Sequence, residues 1–134
     1  MKTTYIDKLA FIEIKDRKVL ETLSVGKDTW YIPGGKRELG ESDRQTLVRE
    51  IKEELSVDLD PESLVLYGIF ETQAHGKPEG TMVRMTCYTG AYKGTLTPGA
   101  EVGRMEYFSY GQKYLTSPVD NLIFDDLKAK GLID

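Results

Sequence analysis

GKRELGESDRQTLVREIKEELSV, Gly35 to Val57, is the stretch on which the fold turns. Ser42 and Gln45 stand three apart, just ahead of an apolar-periodic run. That is a capping box, in which the Ser hydroxyl takes one orphan N–H and the Gln side chain reaches back to another. The spacing predicts a helix from about Asp43 to about Leu55. At about 100° per residue, Leu47, Val48, Ile51 and Leu55 share one stripe, fit for burial against a sheet. Glu50, Glu53 and Glu54 share a stripe on roughly the other side.

Crowding these acids has a cost. Like charges three or four residues apart destabilise an exposed helix by about 0.2–0.5 kcal/mol per pair. Arg49 offsets part of it by reaching Glu53 one turn on, and Lys52 lies nearby. The trio reads either as a solvated charged face or as a ligand set. Clustered carboxylate oxygens are what hard cations such as Mg²⁺ and Mn²⁺ prefer. The Gly-Gly turn after Pro33 leaves backbone groups free to approach a phosphate or a metal.

Gly35, Glu41, Arg49, Glu50, Ile51, Glu53, Glu54 and Val57 occupy the places of the pattern G-x5-E-x7-R-E-U-x-E-E-x-G-U, where U is a bulky aliphatic residue. In this the chain resembles the Nudix hydrolases. The flanking WYIPGG, Trp30 to Gly35, is similar too, and so is the order of the remaining segments. Ser56 departs from the pattern, which has Gly there. A Gly suits a helix C-cap with positive φ; Ser removes neither a ligand nor a charge.

The resemblance implies an α/β/α sandwich around a mixed sheet, with the box as loop–helix–loop. It implies a Mg²⁺- or Mn²⁺-dependent hydrolase that cleaves the pyrophosphate linkage of a nucleoside diphosphate joined to another group. The metal would be held by Glu50, Glu53 and Glu54, completed by the Gly35 carbonyl. Glu41 and Arg49 would orient the box. The general base differs within the family, lying in the box or in a later loop. Here Glu53 is the first choice and Glu101, ahead of the strand Glu106-Tyr107-Phe108, the second. Glu101 reads equally as an ordinary loop acid.

Outward from the box the chain sets limits. At 134 residues it is one domain, 1–134, with room for a core. A net charge of −4 gives no basic field to hold a nucleic-acid polymer. An acidic protein that binds phosphates needs a bridging cation. The lone cysteine, Cys87, permits no internal disulfide, which suits a reducing cytoplasm. MKTTYIDKLAFIEI lacks the apolar core of a leader, and no run is long enough to span a membrane.

Tyr5 to Ile14 and Val19 to Ser24 read as a hairpin about a polar break. Trp30 to Ile32 reads as a short strand stopped by Pro33-Gly34-Gly35. Leu64 to Gln73, Met82 to Tyr92 and Met105 to Ser109 read as strands. Ser117-Pro118 opens a helix over about Val119 to Lys130, and Gly131 ends it. Candidate substrate contacts are Trp30, Gln73, His75 and Arg84. Trp30, Tyr31 and Tyr88 can stack on a base or fill a core. His75, the only histidine, is surface or a phosphate contact, and Arg84 is a phosphate ligand or a surface charge.

Two other functions compete. One is a silent nucleotide sensor, which need not keep all three glutamates. The other is an isoprenyl diphosphate isomerase, for which Cys87 is poorly placed. The resemblance also allows a homodimer.

Overall fold

The computed structural model describes residues 3–134; Met1 and Lys2 lie outside them. Two sheets lie between two helices. The first is a mixed sheet, in spatial order β4 (Gly34–Lys36), β1 (Thr4–Phe11), β7 (Thr81–Thr89), β6 (Val65–Gln73). β1 runs parallel to β7, and the other neighbours are antiparallel. The second sheet is antiparallel: β2 (Ile14–Lys15), β3 (Lys18–Ser24) and β9 (Val102–Phe108). A small ladder joins β5 (Asp58–Leu59) to β8 (Tyr92–Lys93).

The expected hairpin is β2–β3, turned at Asp16 and Arg17, both at positive φ. The first strand does not belong to it. β1 ends at Phe11 and enters the other sheet. Trp30 to Ile32 forms only isolated bridges, Thr22 with Tyr31 and Trp30 with Thr116. The Gly-Gly pair is not the stop that the sequence suggests: Gly34, Gly35 and Lys36 are the strand, set against Ala10, Leu9 and Lys8.

Helix α1 (Asp43–Leu55) carries the capping box. The Ser42 hydroxyl accepts the Gln45 N–H at 3.2 Å, and Gln45 Oε1 accepts the Ser42 N–H at 2.9 Å. Leu47, Ile51 and Leu55 are buried with Leu9, Phe11 and Leu20. Helix α2 (Pro118–Ala129) is capped by Ser117 and buries Val119, Ile123, Phe124 and Leu127 with Ala10, Ile12 and Val19. Alternation along β1 and one residue beyond its end thus sends Leu9 and Phe11 to one helix and Ala10 and Ile12 to the other. Each buried leucine or phenylalanine side chain contributes about 1.5–3 kcal/mol. No helix among the described residues is long and apolar enough to cross a membrane.

Candidate active site

The site is built where the C-terminal half of α1 meets three other segments. Ser56 ends the helix in the left-handed conformation, φ 62° and ψ 26°, the place where glycine would be easiest. Beyond it the chain returns to the helix end. Thr97, Gly99 and Ala100 donate their N–H groups to the carbonyls of Leu55, Glu54 and Glu53, at 2.9, 2.8 and 3.1 Å. These are the carbonyls that a helix terminus leaves unpartnered. Gly99 sits so close that a Cβ would collide with the Glu53 carbonyl oxygen. Glu101 follows at φ 66°, itself a left-handed non-glycine position, which carries local strain.

The result is one cleft of about 210 Å³ lined by Glu50, Glu53, Glu54, Glu101, Ser24, Ala100 and Val102. The three helix acids and Glu101 therefore share a space. Below them lies the β4 strand. A Cβ on Gly35 would run into the Glu50 carboxyl, so only glycine lets the backbone approach there. The Gly34 N–H donates to Glu54 Oε1 at 3.1 Å.

Glu41 and Arg49 meet across the loop. Arg49 Nε donates to Glu41 Oε2 and Arg49 Nη2 to Glu41 Oε1, both at 2.8 Å, and Arg49 Nη1 reaches Glu50 Oε1 at 2.8 Å. Arg49 Nη2 also donates to the Lys36 carbonyl at 3.1 Å. The Arg49 guanidinium, with the Glu38 N–H and the Thr46 hydroxyl, pulls the Glu41 carboxyl down to about 2. The expected pairing with Glu53 is long, at 3.8 Å.

Glu54 behaves oppositely. Burial, opposed by the Gly34 N–H and reinforced by Glu50 and Glu53, pushes its carboxyl up to about 7. Burial also raises Glu50, against the pull of Arg49. Among the described residues the acids are not closed into a ligand cage, because Glu50 is turned to Arg49 and Glu54 to Gly34. The donor chemistry nonetheless fits a hard divalent cation: carboxylate oxygens in excess of local positive charge, with the Gly35 backbone against Glu50.

Beside the cleft, on the α2 side of β1, is a larger pocket of about 640 Å³. Glu101 lies on its rim, common to both. Tyr31, Gln73, His75, Ser117, Pro118 and Val119 contribute to its walls, with Lys8, Lys27, Lys36 and Lys77. Gln73 is occupied there: its amide nitrogen donates to the carbonyls of Lys77 and Pro78, and its oxygen accepts the Gly80 N–H, pinning the β6–β7 loop. His75 Nε2 lies 3.4 Å from the Thr29 hydroxyl and stays exposed.

Three sequence expectations need correction. Trp30 is in the core, 4.9 Å from the Phe108 ring centroid and covered by Arg104, so no ring face is free for a base. Arg84 alternates with Val83 and Met85 on β7. Those two face the pocket, so Arg84 points to the opposite side, where it pairs with Glu71 and lies over the Tyr5 ring. Tyr88 also turns away, its hydroxyl bonded to Asp43 Oδ2. Of the three rings, Tyr31 alone lines the pocket. Cys87 is fully buried and its thiol is pushed far up by that burial, which leaves no nucleophile for the isomerase chemistry. The lysines were missed because they are scattered in sequence. Lys8, a charge inside the apolar run of β1, was the one available signal.

Carboxylates gathered in one cleft beside a basic pocket suit the chemistry of phosphoanhydride hydrolysis. The chain belongs to the Nudix family: the model of the NUDIX domain matches residues 12–122. It is therefore a Nudix-type pyrophosphohydrolase. Among solved structures it is similar to the E. coli ORF135 protein, with 25% identity, a TM-score of 0.69, and coverage of 96% of this chain and 94% of that one. It is similar to a MutT protein from Bacillus halodurans, at 25% identity, TM-score 0.67, covering 89% and 79%. The MutT protein from Methanosarcina mazei Go1 shares the fold at 15% identity, TM-score 0.75, covering 98% of both chains. No curated protein sequence matches significantly.

Proposed function

We propose that this protein hydrolyses the pyrophosphate linkage of a nucleoside diphosphate joined to another moiety, using Mg²⁺ or Mn²⁺, as a single domain spanning residues 1–134 and in the cytoplasm. The observation that carries the reading is the one cleft shared by Glu50, Glu53, Glu54 and Glu101, the last of which also lines the basic pocket. Glu50, Glu53 and Glu54, with the Gly35 carbonyl, are the residues to hold the cation. When bound, the cation neutralises the anhydride oxygens and lowers the pKa of a water.

The chain's own residues supply the rest. Glu53, the most solvent-facing of the three, takes the proton of the attacking water, and Glu101 across the cleft is the second candidate for that role. Arg49 and Glu41 fix the loop on the helix, so that Gly35 and Glu50 keep their approach. Tyr31 and His75 line the pocket beside the leaving nucleoside or its partner group.

The test is a panel of nucleoside triphosphates, ADP-ribose, sugar nucleotides and dinucleoside polyphosphates with Mg²⁺ or Mn²⁺. Wild type should turn over at least one member, and Glu53→Gln should lower kcat by about 10²–10⁴-fold with the fold intact by circular dichroism. A Glu53→Gln protein at the wild-type rate removes Glu53 from the mechanism.

A further inference from the structure

The pocket beside the cleft is more cationic than a neutral base or sugar requires. Lys8, Lys27, Lys36 and Lys77 all line it, against Glu101 alone among the acids of its wall. In a chain of net charge −4 that concentration is local. The lysines that form salt bridges, among the described residues, are Lys52, Lys113 and Lys130, all elsewhere. The four in the pocket have no such partner.

Two of them are placed together by the fold itself. Lys8 on β1 and Lys36 on β4 are register partners in the antiparallel ladder. Like charges directly opposite one another destabilise a sheet. Lys8 is half-buried and its ammonium lies 5.4 Å from the centroid of the Tyr31 ring. Burial, then Lys36, then Lys77 lower its pKa, while Asp120 and Glu54 act the other way. Neither acid pairs with it directly: Asp120 Oδ2 accepts the Ile32 N–H at 2.8 Å and Glu54 accepts the Gly34 N–H. A site that holds ammonium groups together, unpaired and partly desolvated, is complementary to an anion.

We propose that the pocket takes a phosphate group additional to the scissile anhydride, so that the substrate is a nucleoside diphosphate derivative carrying a further phosphate remote from the cleaved linkage, gripped by Lys8 with Lys36 and Lys77. This rests on the pyrophosphohydrolase reading of the neighbouring cleft. Lys8 is the specificity-determining residue, since it alone of the four lysines also borders the space lined by Gly34, Gly35 and Glu54. Lys77 is on the β6–β7 loop, and Lys27 is on the wall that leads to Glu101.

Matched pairs that differ by one remote phosphate test the idea: coenzyme A against dephospho-coenzyme A, NADPH against NADH, and 2′-phospho-ADP-ribose against ADP-ribose. The phosphorylated member of at least one pair should have the higher kcat/KM by about ten- to hundredfold, the size of a charge-assisted hydrogen bond. The gain should lie in KM. It should shrink about tenfold in Lys8→Met and in Lys77→Gln, the second being an exposed loop change that the fold tolerates. Equal rates within every pair, or a preference unmoved by both substitutions, overturns the proposal. Binding in EDTA separates it from the catalytic reading. Adenosine 3′,5′-bisphosphate should bind more tightly than 5′-AMP to wild type and not to Lys8→Met, whether or not any anhydride is cleaved. Equal binding of both nucleotides to wild type counts against the pocket alone, and absence of hydrolysis across the whole panel counts against the catalytic reading alone.

Discussion

Arg49 holds Glu41 by two parallel hydrogen bonds, each 2.8 Å, although the two residues are eight apart and lie on opposite sides of the helix start. The same guanidinium reaches Glu50 and the Lys36 carbonyl. One side chain therefore ties the loop, the strand β4 and the acidic face of α1 into a single unit. A fork of this kind adds geometric constraint as well as energy.

Arg49→Lys tests that constraint. The charge stays and the fork is lost, so Glu50 and the Gly35 backbone lose their common anchor. Misplacement by about 1 Å can lower turnover by about 10²-fold. The expected outcome is a fall in kcat of about that size with a small change in melting temperature. Steady-state kinetics beside a thermal melt measure both. Unchanged kcat would show that the fork is dispensable.

Ser56 occupies the left-handed region at φ 62°, the position where the family pattern has glycine. Non-glycine residues adopt it at a cost of about 1 kcal/mol. Ser56→Gly should therefore stabilise the protein, raising the melting temperature by about 3–4 °C, with activity unchanged. Differential scanning calorimetry reads the shift. A destabilised variant would mean that the flexibility gained by the unfolded chain outweighs the strain removed.

A cation drawn to the acidic cleft binds the folded chain and not the unfolded one. At about one hundred times its dissociation constant it adds about 2.7 kcal/mol of stability. Mg²⁺ or Mn²⁺ should raise the melting temperature by several degrees, and EDTA should reverse it. Glu50→Gln and Glu54→Gln should each diminish the effect. Equal shifts in wild type and both variants would place the binding elsewhere.

What was readable in the sequence was local. Helix α1 was legible because Ser42, Gln45 and the Leu47–Ile51–Leu55 stripe carry their own signal within four turns. The strand β4 was not, because Gly34 to Lys36 become a strand only through Leu9 and Ala10, far back in the chain. Trp30 sits in an extended segment whose burial depends on Phe108, and no pattern around residue 30 reveals that. Arg84 could have been phased from Val83 and Met85, since strand alternation alone turns it away from their face. The basic pocket has no motif: Lys8, Lys36 and Lys77 meet by sheet register and loop packing, while the acidic cleft lies mostly on one helix and so announced itself.

Two acids that belong to no motif lie buried beside one another. Glu21 on β3 and Asp120 in the first turn of α2 are both fully buried, and Glu21 Oε1, Glu21 Oε2 and Asp120 Oδ1 lack a donor. Facing acceptors can bond only if one carries a proton, so the expected state is Glu21 as the neutral acid with its O–H toward Asp120. Burial first, then the Asp120 charge, pushes Glu21 well up; burial raises Asp120 to about 6 despite the Ile32 N–H, Ser117 and Lys8. Both folded pKa values exceed the unfolded ones, so above about pH 4 the folded chain binds more protons than the unfolded chain. Stability from this pair is then full in acid and declines as pH rises through about 6 and beyond. Glu21→Gln keeps a donor toward Asp120 and drops the titration. It should match wild type near pH 4.5 and be more stable at pH 8, by about 1–3 kcal/mol, the scale for a buried polar group poorly matched to its surroundings. Chemical denaturation of both proteins across that pH range gives the difference directly. Parallel stability curves for the two would show that Glu21 keeps the same proton folded and unfolded, and that the pair is not a titrating unit.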